Sequence, residues 1–370
     1  MKLPWSKPET KTAPPLIALA HLPEAKWGRT DPAHLVRDGY TGNAVAYRCV
    51  RMIAEAAASI RFLSTNEAVQ VLMDEPSSET AGQSLRERLY TDLQITGNAW
   101  LEAVTFEAET APRVLLALRV DCVRVNQDQN GHVNGYAVSL KRGERLIPRA
   151  VDGWSPVHHM KLYHPGDSVY GLSPLAAARK SLDVHNGAAG WAKALIDNAA
   201  RPSGALMYGK DGERLSDEQF ERLKDQLTQE HSGAMNAGRP LLLEGGLDWR
   251  PMSLSPVEMD FAETRHTAAR EIALAFGVPP MLLGIPGDNT YATYKEAHLA
   301  FWRLTVLPLV QKTANALSNW LSGRFEAAAI KPDLDSVPAF AAERDALWAR
   351  VSAADFLTAE EKRQLLGLAP

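Results

Sequence analysis

The side chains that could bind a metal ion are concentrated in one short segment. His158, His159, His164 and Asp167 are imidazole and carboxylate groups of the kind that bind zinc. His158 and His159 are neighbours in a predicted strand, so their side chains point to opposite faces and cannot both reach one ion. We therefore expect one packed and one exposed histidine, and no metal site.

Signatures of common enzymes are missing from the sequence. Gly209-Lys210 is followed by Asp211 and lacks the upstream glycine of a phosphate-binding P-loop. Gly245-Gly246 is typical of a turn, because no helix start follows it closely. Neither a Gly-x-Ser-x-Gly nor a His-Glu-x-x-His motif occurs. These absences argue against a P-loop ATPase.

Composition limits the classes of protein further. The 370 residues are 45% hydrophobic, enough for two or three domains, and the net charge of −4 provides no basic excess for gripping nucleic acid. Cys49 and Cys122 are too few for a disulfide framework, and free thiols in a reducing compartment are expected. No stretch approaches the 18 apolar residues of a membrane span. The sequence predicts a soluble protein made in the cytoplasm.

Two segments carry a mild excess of acid. Residues 255–276 contain four acidic residues and two arginines, and residues 202–254 contain nine acidic and six basic residues. Ordinary solvated helix faces explain part of this. A mild acidic excess also disfavours tight binding of phosphate groups, because such binding needs a basic surface.

Helix and strand signals divide the first half of the chain. Residues 1–30 are rich in Pro, Lys and Thr and are predicted to be a mobile tail. Asn43 is predicted to cap a helix, and Ser84 with Glu87 forms a capping box for another. Alternating patterns predict strands over 61–64, 69–73, 100–106, 113–125, 133–140, 146–151 and 157–162. Residues 31–172 are thus predicted to form one α+β domain.

Long helices dominate the second half. Ser173-Pro174 is predicted to start a helix that reaches Ala200 and contains Gly187-Ala-Ala-Gly190, where a neighbouring element should come close. A compact insert follows. Ser255 and Glu258 form a capping box for a second long helix ending at Gly277. Thr293 and Glu296 open a third, which Pro308 should kink. The insert is therefore predicted to sit on a two-helix stalk.

Several motifs, taken in order, resemble one known family. Residues 272–284, then Asn289-Thr-Tyr291 and the run 301–308, resemble the portal proteins of tailed bacteriophages, specifically the HK97 type. Gly97-Asn-Ala-Trp100, Tyr170-Gly-Leu-Ser-Pro174 and the segment 356–363 support the resemblance. It covers nearly the whole chain.

The resemblance implies an α+β portal fold with named parts. After the tail of residues 1–30 these are an α/β wing (31–172), a stem helix (173–201), a small α/β clip (202–254), a second stem helix (255–277), a tunnel loop region (278–293), a kinked tunnel helix (294–321) and a short helical crown (322–370). The fold implies a ring, most commonly of twelve copies, around a channel for double-stranded DNA.

The resemblance also implies sites and partners, in a protein that is not an enzyme and needs no cofactor. Tunnel-loop residues facing DNA would be Asp288, Asn289, Thr290 and Tyr291. Channel-facing stem candidates are Glu258, Glu263, Arg265 and Arg270. Clip candidates for contacts with the terminase large subunit and then a head–tail adaptor are Arg214, Arg222, Lys224 and Arg239. The wing would contact the major capsid protein.

The particle implied is a virion, assembled in the bacterial cytoplasm, from a phage, a prophage or a gene transfer agent. Two alternatives remain: another structural head protein such as a head–tail adaptor, and a cytosolic hydrolase using residues 97–172. Gel filtration would separate a large ring from a small enzyme.

Overall fold

The computed structural model of the chain places helices and antiparallel strands in both halves. The described residues are 29–106, 109–197, 204–208, 216, 218, 221–222, 247–251, 261–286 and 291–366. Nearly all of the predicted N-terminal tail and most of the predicted clip lie outside them. Within the described residues, no helix combines the length and the apolar character needed to span a bilayer. The α+β class is confirmed.

Five helical segments lie in the first half of the chain. They are α1 (Pro32–His34), a π-helix (Leu35–Tyr40), α2 (Ala44–Ser59), α3 (Glu67–Asp74) and α4 (Gly82–Thr96). Two of them, α2 and α3, are capped by asparagine. As predicted, Asn43 caps α2: its side-chain oxygen accepts from the N–H groups of Val45 and Ala46 at 3.1 and 3.0 Å. The predicted Ser84 cap is wrong, because α4 already begins at Gly82.

The strand predicted at residues 69–73 is also wrong, since α3 covers them. Asn66 supplies the reason. Its side-chain oxygen accepts from the N–H groups of Ala68 and Val69 at 3.0 and 3.2 Å, which satisfies the free donors of a helix start. A five-residue segment with four apolar side chains does not distinguish helix from strand, so a capping side chain decides.

Six strands form two antiparallel three-stranded sheets. They are β2 (Asn98–Val104), β3 (Val114–Leu118), β4 (Val123–Gln127), β5 (Val133–Leu140), β6 (Gly143–Pro148) and β7 (Val157–Lys161). Their orders are β3-β2-β7 and β4-β5-β6. The predicted strand at 113–125 is two strands, because the chain turns between them, where Cys122 N–H donates to the Arg119 carbonyl. Trp100 pairs with His159 in the first sheet.

The helices of the second half are longer. They are α5 (Pro174–Ala177), α6 (Arg179–Asp197), α7 (Phe261–Phe276), a 3-10 turn (Pro280–Leu283), α8 (Tyr291–Ala300), a π-helix (Phe301–Val306) and α9 (Leu307–Leu321). The helix predicted from Ser173 to Ala200 is two helices, since the backbone of Ala178 departs from helical geometry (ψ 2°).

Pro308 shapes the helix before it. Proline has no N–H to donate within a helix, so the hydrogen-bond ladder must change near it. The chain widens into the π-helix Phe301–Val306 just upstream, where Leu307 N–H donates to the Trp302 carbonyl, five residues back. The predicted disturbance therefore takes the form of a π segment. The predicted helix start at Thr293 is wrong, because α8 begins at Tyr291.

One main core joins segments from across the chain. It contains α2 residues such as Ile53, α7 residues Ile272 and Phe276, and α9 residues such as Leu317. Strand β1 (Phe62–Ser64) pairs with β10 (Ile330–Pro332), so a segment near residue 62 and one near residue 331 form one sheet. The predicted limits at 172, 277 and 321 therefore mark segments that share a core. The described chain ends with α10 (Ala341–Ser352) and α11 (Ala359–Leu365), and the latter has the predicted Thr358–Glu361 capping box.

The predicted stalk is present at its base. Helices α6 and α7 pack along each other. Ser181, early in α6, donates its hydroxyl to Glu271, late in α7, at 2.6 Å, so the helices run antiparallel. Just after α6 and before α7 lie β8 (Gly204–Tyr208) and β9 (Leu247–Pro251), which pair antiparallel.

Candidate functional site

Helix α7 has a buried face and an exposed face. Ile272, Ala273 and Phe276 are at most 3% exposed and face the core. Glu263, Arg265 and Arg270, the predicted channel-facing residues, are exposed. The helical repeat places Glu263 and Arg270, seven residues apart, on the side opposite the buried residues. Arg265 lies on the same side as Ala269 and Ile272 and is exposed one turn before the first buried residues. Glu258 lies outside the described residues. The pattern leaves a mixed, charged face of α7 available to solvent.

Arg270 does more than present a charge. Its Nη2 donates to the main-chain carbonyl of Pro286, at the start of the tunnel loop. Ile285 next to it is 8% exposed, and its N–H donates to the Pro280 carbonyl at 3.3 Å. The stem helix thus holds the first residues of the loop. This contact joins residues sixteen apart, and no helix or strand period predicts it.

The C-terminal end of α7 is fixed to the π-helix. Gly277 has φ +67°, a left-handed conformation that ends α7. The Thr305 hydroxyl donates to the Gly277 carbonyl at 2.6 Å. A Cβ on Gly277 would lie 2.8 Å from that hydroxyl oxygen, so glycine is needed for conformation and for space. The root of the loop region is therefore tied to the helix that follows it.

The predicted tunnel-loop residues lie mostly outside the described residues: Asp288, Asn289 and Thr290. Tyr291 is the first residue of α8. The loop segment is bounded by Pro286 on one side and α8 on the other. Glu296 in α8 is exposed.

Of the predicted clip residues, the structure describes Arg222. Its Nη2 lies 3.0 Å from the Glu218 carboxylate, and both side chains are more than three-quarters exposed. An exposed pair of this kind contributes little to stability, so it stays available to another protein. Arg214, Lys224 and Arg239 lie outside the described residues.

The adjacent histidines point to opposite faces, as predicted, but both are packed. The His158 ring stacks on Trp320 with centroids 5.0 Å apart, and the His159 ring stacks on Trp100 at 3.6 Å. Burial lowers the pKa of His158 to about 4 and that of His159 to about 3. The expectation of one exposed histidine is therefore wrong. In the described part of the chain, no group of three metal-binding side chains comes together.

Comparison with known proteins decides the class. The family profile described as phage portal protein matches residues 44–367. The chain belongs to the phage portal protein family. The match runs through both three-stranded sheets, the stem helices, the tunnel segment and the C-terminal helices. The predicted family is thereby confirmed, and both alternatives, an adaptor and a hydrolase, are set aside.

Individual relatives agree. The chain is 50% identical to a chain in a solved structure of the neck of a native GTA particle computed with C12 symmetry; the match covers 93% of this chain and 95% of that one, with a TM-score of 0.71. It is 39% identical to an uncharacterized protein of Rickettsia bellii over 94% of this chain and 92% of the relative. The portal protein of Enterobacteria phage HK97 is 24% identical over 70% of this chain and 58% of that protein.

Portal proteins are structural subunits, and this role agrees with the geometry. Among the described residues, histidine and tryptophan side chains stack on each other, and hydrogen bonds hold the segments next to the tunnel loop. Helix faces with charges of both signs are exposed. Sequence reasoning missed the hydrogen bonds of Arg270 and Thr305. Both use main-chain carbonyls as acceptors, and a carbonyl leaves no signal in a sequence.

Proposed function

We propose that this chain is the subunit of a twelve-membered ring at one vertex of a phage-like particle, through which double-stranded DNA enters and leaves. The observation that carries this is the 50% identity, over nearly the full length of both chains, to a chain of the C12-symmetric particle neck. The C12 symmetry of that relative supports twelve copies. Among a phage, a prophage and a gene transfer agent, the same observation favours the last.

Ring geometry is compatible with a DNA channel. Helices pack about 8–10 Å apart, so twelve inner helices give a circumference of about 120 Å and leave a bore of about 28 Å after the helix bodies are subtracted. That bore admits a B-form duplex. Helix tilt would widen it.

The exposed face of α7 suits passage of DNA. Glu263, Arg265 and Arg270 are exposed and of mixed sign. A wall with a strong positive charge would bind phosphates through release of counterions and slow movement. Glu263, together with Glu258 five residues earlier in the sequence, offsets the charge of the two arginines. We assign these residues to the channel wall.

We assign the partners by position along the chain. The clip, with Arg222 exposed beside Glu218 and with Arg214, Lys224 and Arg239, would contact the terminase large subunit during filling and a head–tail adaptor afterwards. The wing would contact the major capsid protein, and residues 322–370 would face the particle interior. Assembly would take place in the bacterial cytoplasm.

Electron microscopy tests the proposal. Purified chain is imaged in negative stain, and particles from cells with and without the gene are examined for DNA. We expect closed rings of the purified protein, and particles without DNA when the gene is deleted. A chain that stays monomeric at every concentration and salt, and is missing from purified particles, contradicts the proposal.

A further inference from the structure

An open cavity of about 410 Å³ lies between the N-terminal π-helix and helix α6. Asp38 and Gly42 line one side, and Arg179, Asp183 and Asn186 line the other. The three α6 residues are four and three positions apart, so they share one helix face. None of these residues belongs to the predicted channel wall, tunnel loop or clip.

Arg179 is the unusual group in this cavity. Its side chain is only 9% exposed, and its Nη2 lies 3.0 Å from the Asp183 carboxylate and 3.7 Å from that of Asp38. Its Nε and Nη1 atoms are buried and have no hydrogen-bond partner among the described residues. A buried N–H group without an acceptor is costly, so the side chain is suited to a partner that brings oxygen atoms.

The charges of the side chains around the cavity indicate which kind of oxygen atom Arg179 could bind. Asp38 and Asp183 already balance Arg179, and Arg37 at the cavity rim is bonded to Asp38 at 2.8 Å. Two arginines therefore face two carboxylates. A further anion would meet two negative groups, whereas a neutral carbonyl oxygen accepts from a guanidinium without that repulsion. The cavity is matched to main-chain carbonyl groups.

The helix face beyond the cavity lets a main chain come close. Gly187 and Gly190 follow Asp183 at helical spacing, and a Cβ on either glycine would meet no atom within 4 Å. The sequence predicts a close neighbour at these glycines, and no described residue of the same chain fills that place. The small residues and Arg179 thus share one open face.

Hydrogen bonds hold the cavity walls in place. The Asn43 side-chain amide donates to Asn186 Oδ1 at 2.8 Å, and Asn186 Nδ2 donates to the Asp38 carbonyl at 3.0 Å. Asn43 is 2% exposed and also caps α2. The two sides of the cavity are therefore joined by buried amides, and a partner would meet a preformed surface.

We propose that this cavity, here called the Arg179 socket, receives main-chain carbonyl oxygens of a second copy of this chain. The inference rests on the proposed ring, and it names one of the contacts between neighbouring copies. A second copy is favoured because the relative of 50% identity is part of an assembly with C12 symmetry, and because the open face needs a backbone rather than a charged ligand.

Ring dissociation on dilution tests the socket. Wild type is compared with Arg179→Met and Arg179→Lys by mass photometry, and subunit melting temperature is measured on dilute, dissociated protein. We expect Arg179→Met to raise the concentration at which half the rings dissociate by at least about tenfold. The subunit should lose less stability than the ring, although Asp183 also loses its 3.0 Å ion pair. For Arg179→Lys, the dissociation concentration should lie between those of wild type and Arg179→Met. Arg37→Met, which removes a 68% exposed side chain at the rim, is the matched control. It should change the concentration at which half the rings dissociate by no more than about threefold.

Each other result overturns the socket. Rings of both Arg179 variants that dissociate like wild type exclude it, and Arg179→Lys decides if Arg179→Met does not fold. Equal losses in subunit and ring stability would mean that Arg179 only joins segments of its own chain. Inorganic phosphate that raises the melting temperature of wild type but not of Arg179→Met would identify an anion site instead. If wild type itself forms no ring in solution or in particles, the proposed function fails together with the socket.

Discussion

The Thr305 hydroxyl donates a 2.6 Å hydrogen bond to the Gly277 carbonyl, and this bond joins the end of stem helix α7 to the π-helix Phe301–Val306. The two residues are 28 positions apart, with the whole tunnel loop region between them. The bond holds the end of α7 beside the π-helix, and the tunnel loop region lies between these two elements. The first prediction below tests this junction.

Gly277→Ala should destabilise the subunit by about 1–3 kcal/mol, because alanine is strained at φ +67° and its Cβ would lie 2.8 Å from the Thr305 oxygen. Urea unfolding measures the loss. Gly284→Ala is the matched control: it has φ +72° but open space around its Cβ, so it should lose less. The difference should shrink in a Thr305→Ala background. Equal costs in both backgrounds would show that the Thr305 contact is unimportant.

Ile272→Ala should cost about 2–5 kcal/mol, since the side chain is fully buried in the main core. Leu274→Ala on the same helix should change stability by less than about 0.5 kcal/mol, because Leu274 is 78% exposed. Chemical unfolding of both variants provides the comparison. Similar losses for the two would mean that the buried face of α7 is wrongly assigned.

Arg270→Met should loosen the start of the tunnel loop by removing the donor to the Pro286 carbonyl. Hydrogen exchange at the Ile285 amide should become faster by about threefold to tenfold, the range of one hydrogen bond. Arg265→Met, also exposed on α7, should leave that exchange unchanged. Unaltered exchange in Arg270→Met would remove this residue from loop positioning.

Acid should destabilise the fold through His158. Burial lowers its folded pKa to about 4, while the unfolded pKa is about 6.5. Between these values the unfolded chain takes up a proton that the folded chain refuses, so stability falls as pH drops from about 6.5 to 4. His158→Phe keeps the stack on Trp320 and should reduce this pH dependence by up to one proton. An unchanged slope in His158→Phe contradicts the prediction.

Asp288→Lys should leave ring formation intact but slow the passage of DNA, because twelve lysines around an axis would hold phosphates. The delay should weaken as salt rises. Removing residues 287–291 should lower retained DNA more than initial packaging. Packaging assays on both variants measure this. Normal filling and retention in the deletion would leave the segment without a role in DNA movement.

Local signals in the sequence predicted a large part of the fold. Strand β5 (Val133–Leu140) has the predicted limits, and Asn43 caps α2 as expected. Alternation and capping act over a few residues, so a sequence displays them directly. The helix at residues 67–74 was missed because its five apolar residues fit either period, and the cap at Asn66 decided the outcome.

Contacts between distant segments could not be predicted in this way. The helical repeat accounts for the exposure of Glu263 and Arg270 opposite the buried side of α7, whereas Arg265 is exposed on the buried side, one turn before the core. That these residues face a channel stays a prediction. The bond of Arg270 to a carbonyl, the burial of Arg179 and the packing of both His158 and His159 depend on which elements meet. Strand and helix periods specify which side a residue faces, and they do not specify what it meets there.

The pairing of β1 with β10 has a consequence for synthesis. The Asn66 amide next to β1 donates to the Glu326 carbonyl, 260 residues further along the chain. A chain emerging from the ribosome cannot complete this sheet until Pro332 has been made, so an early hydrophobic surface including Phe62 waits for the last segments. Truncated translation products consequently lack a finished subunit core. Chaperones and proteases would remove such products before they could be incorporated into a ring.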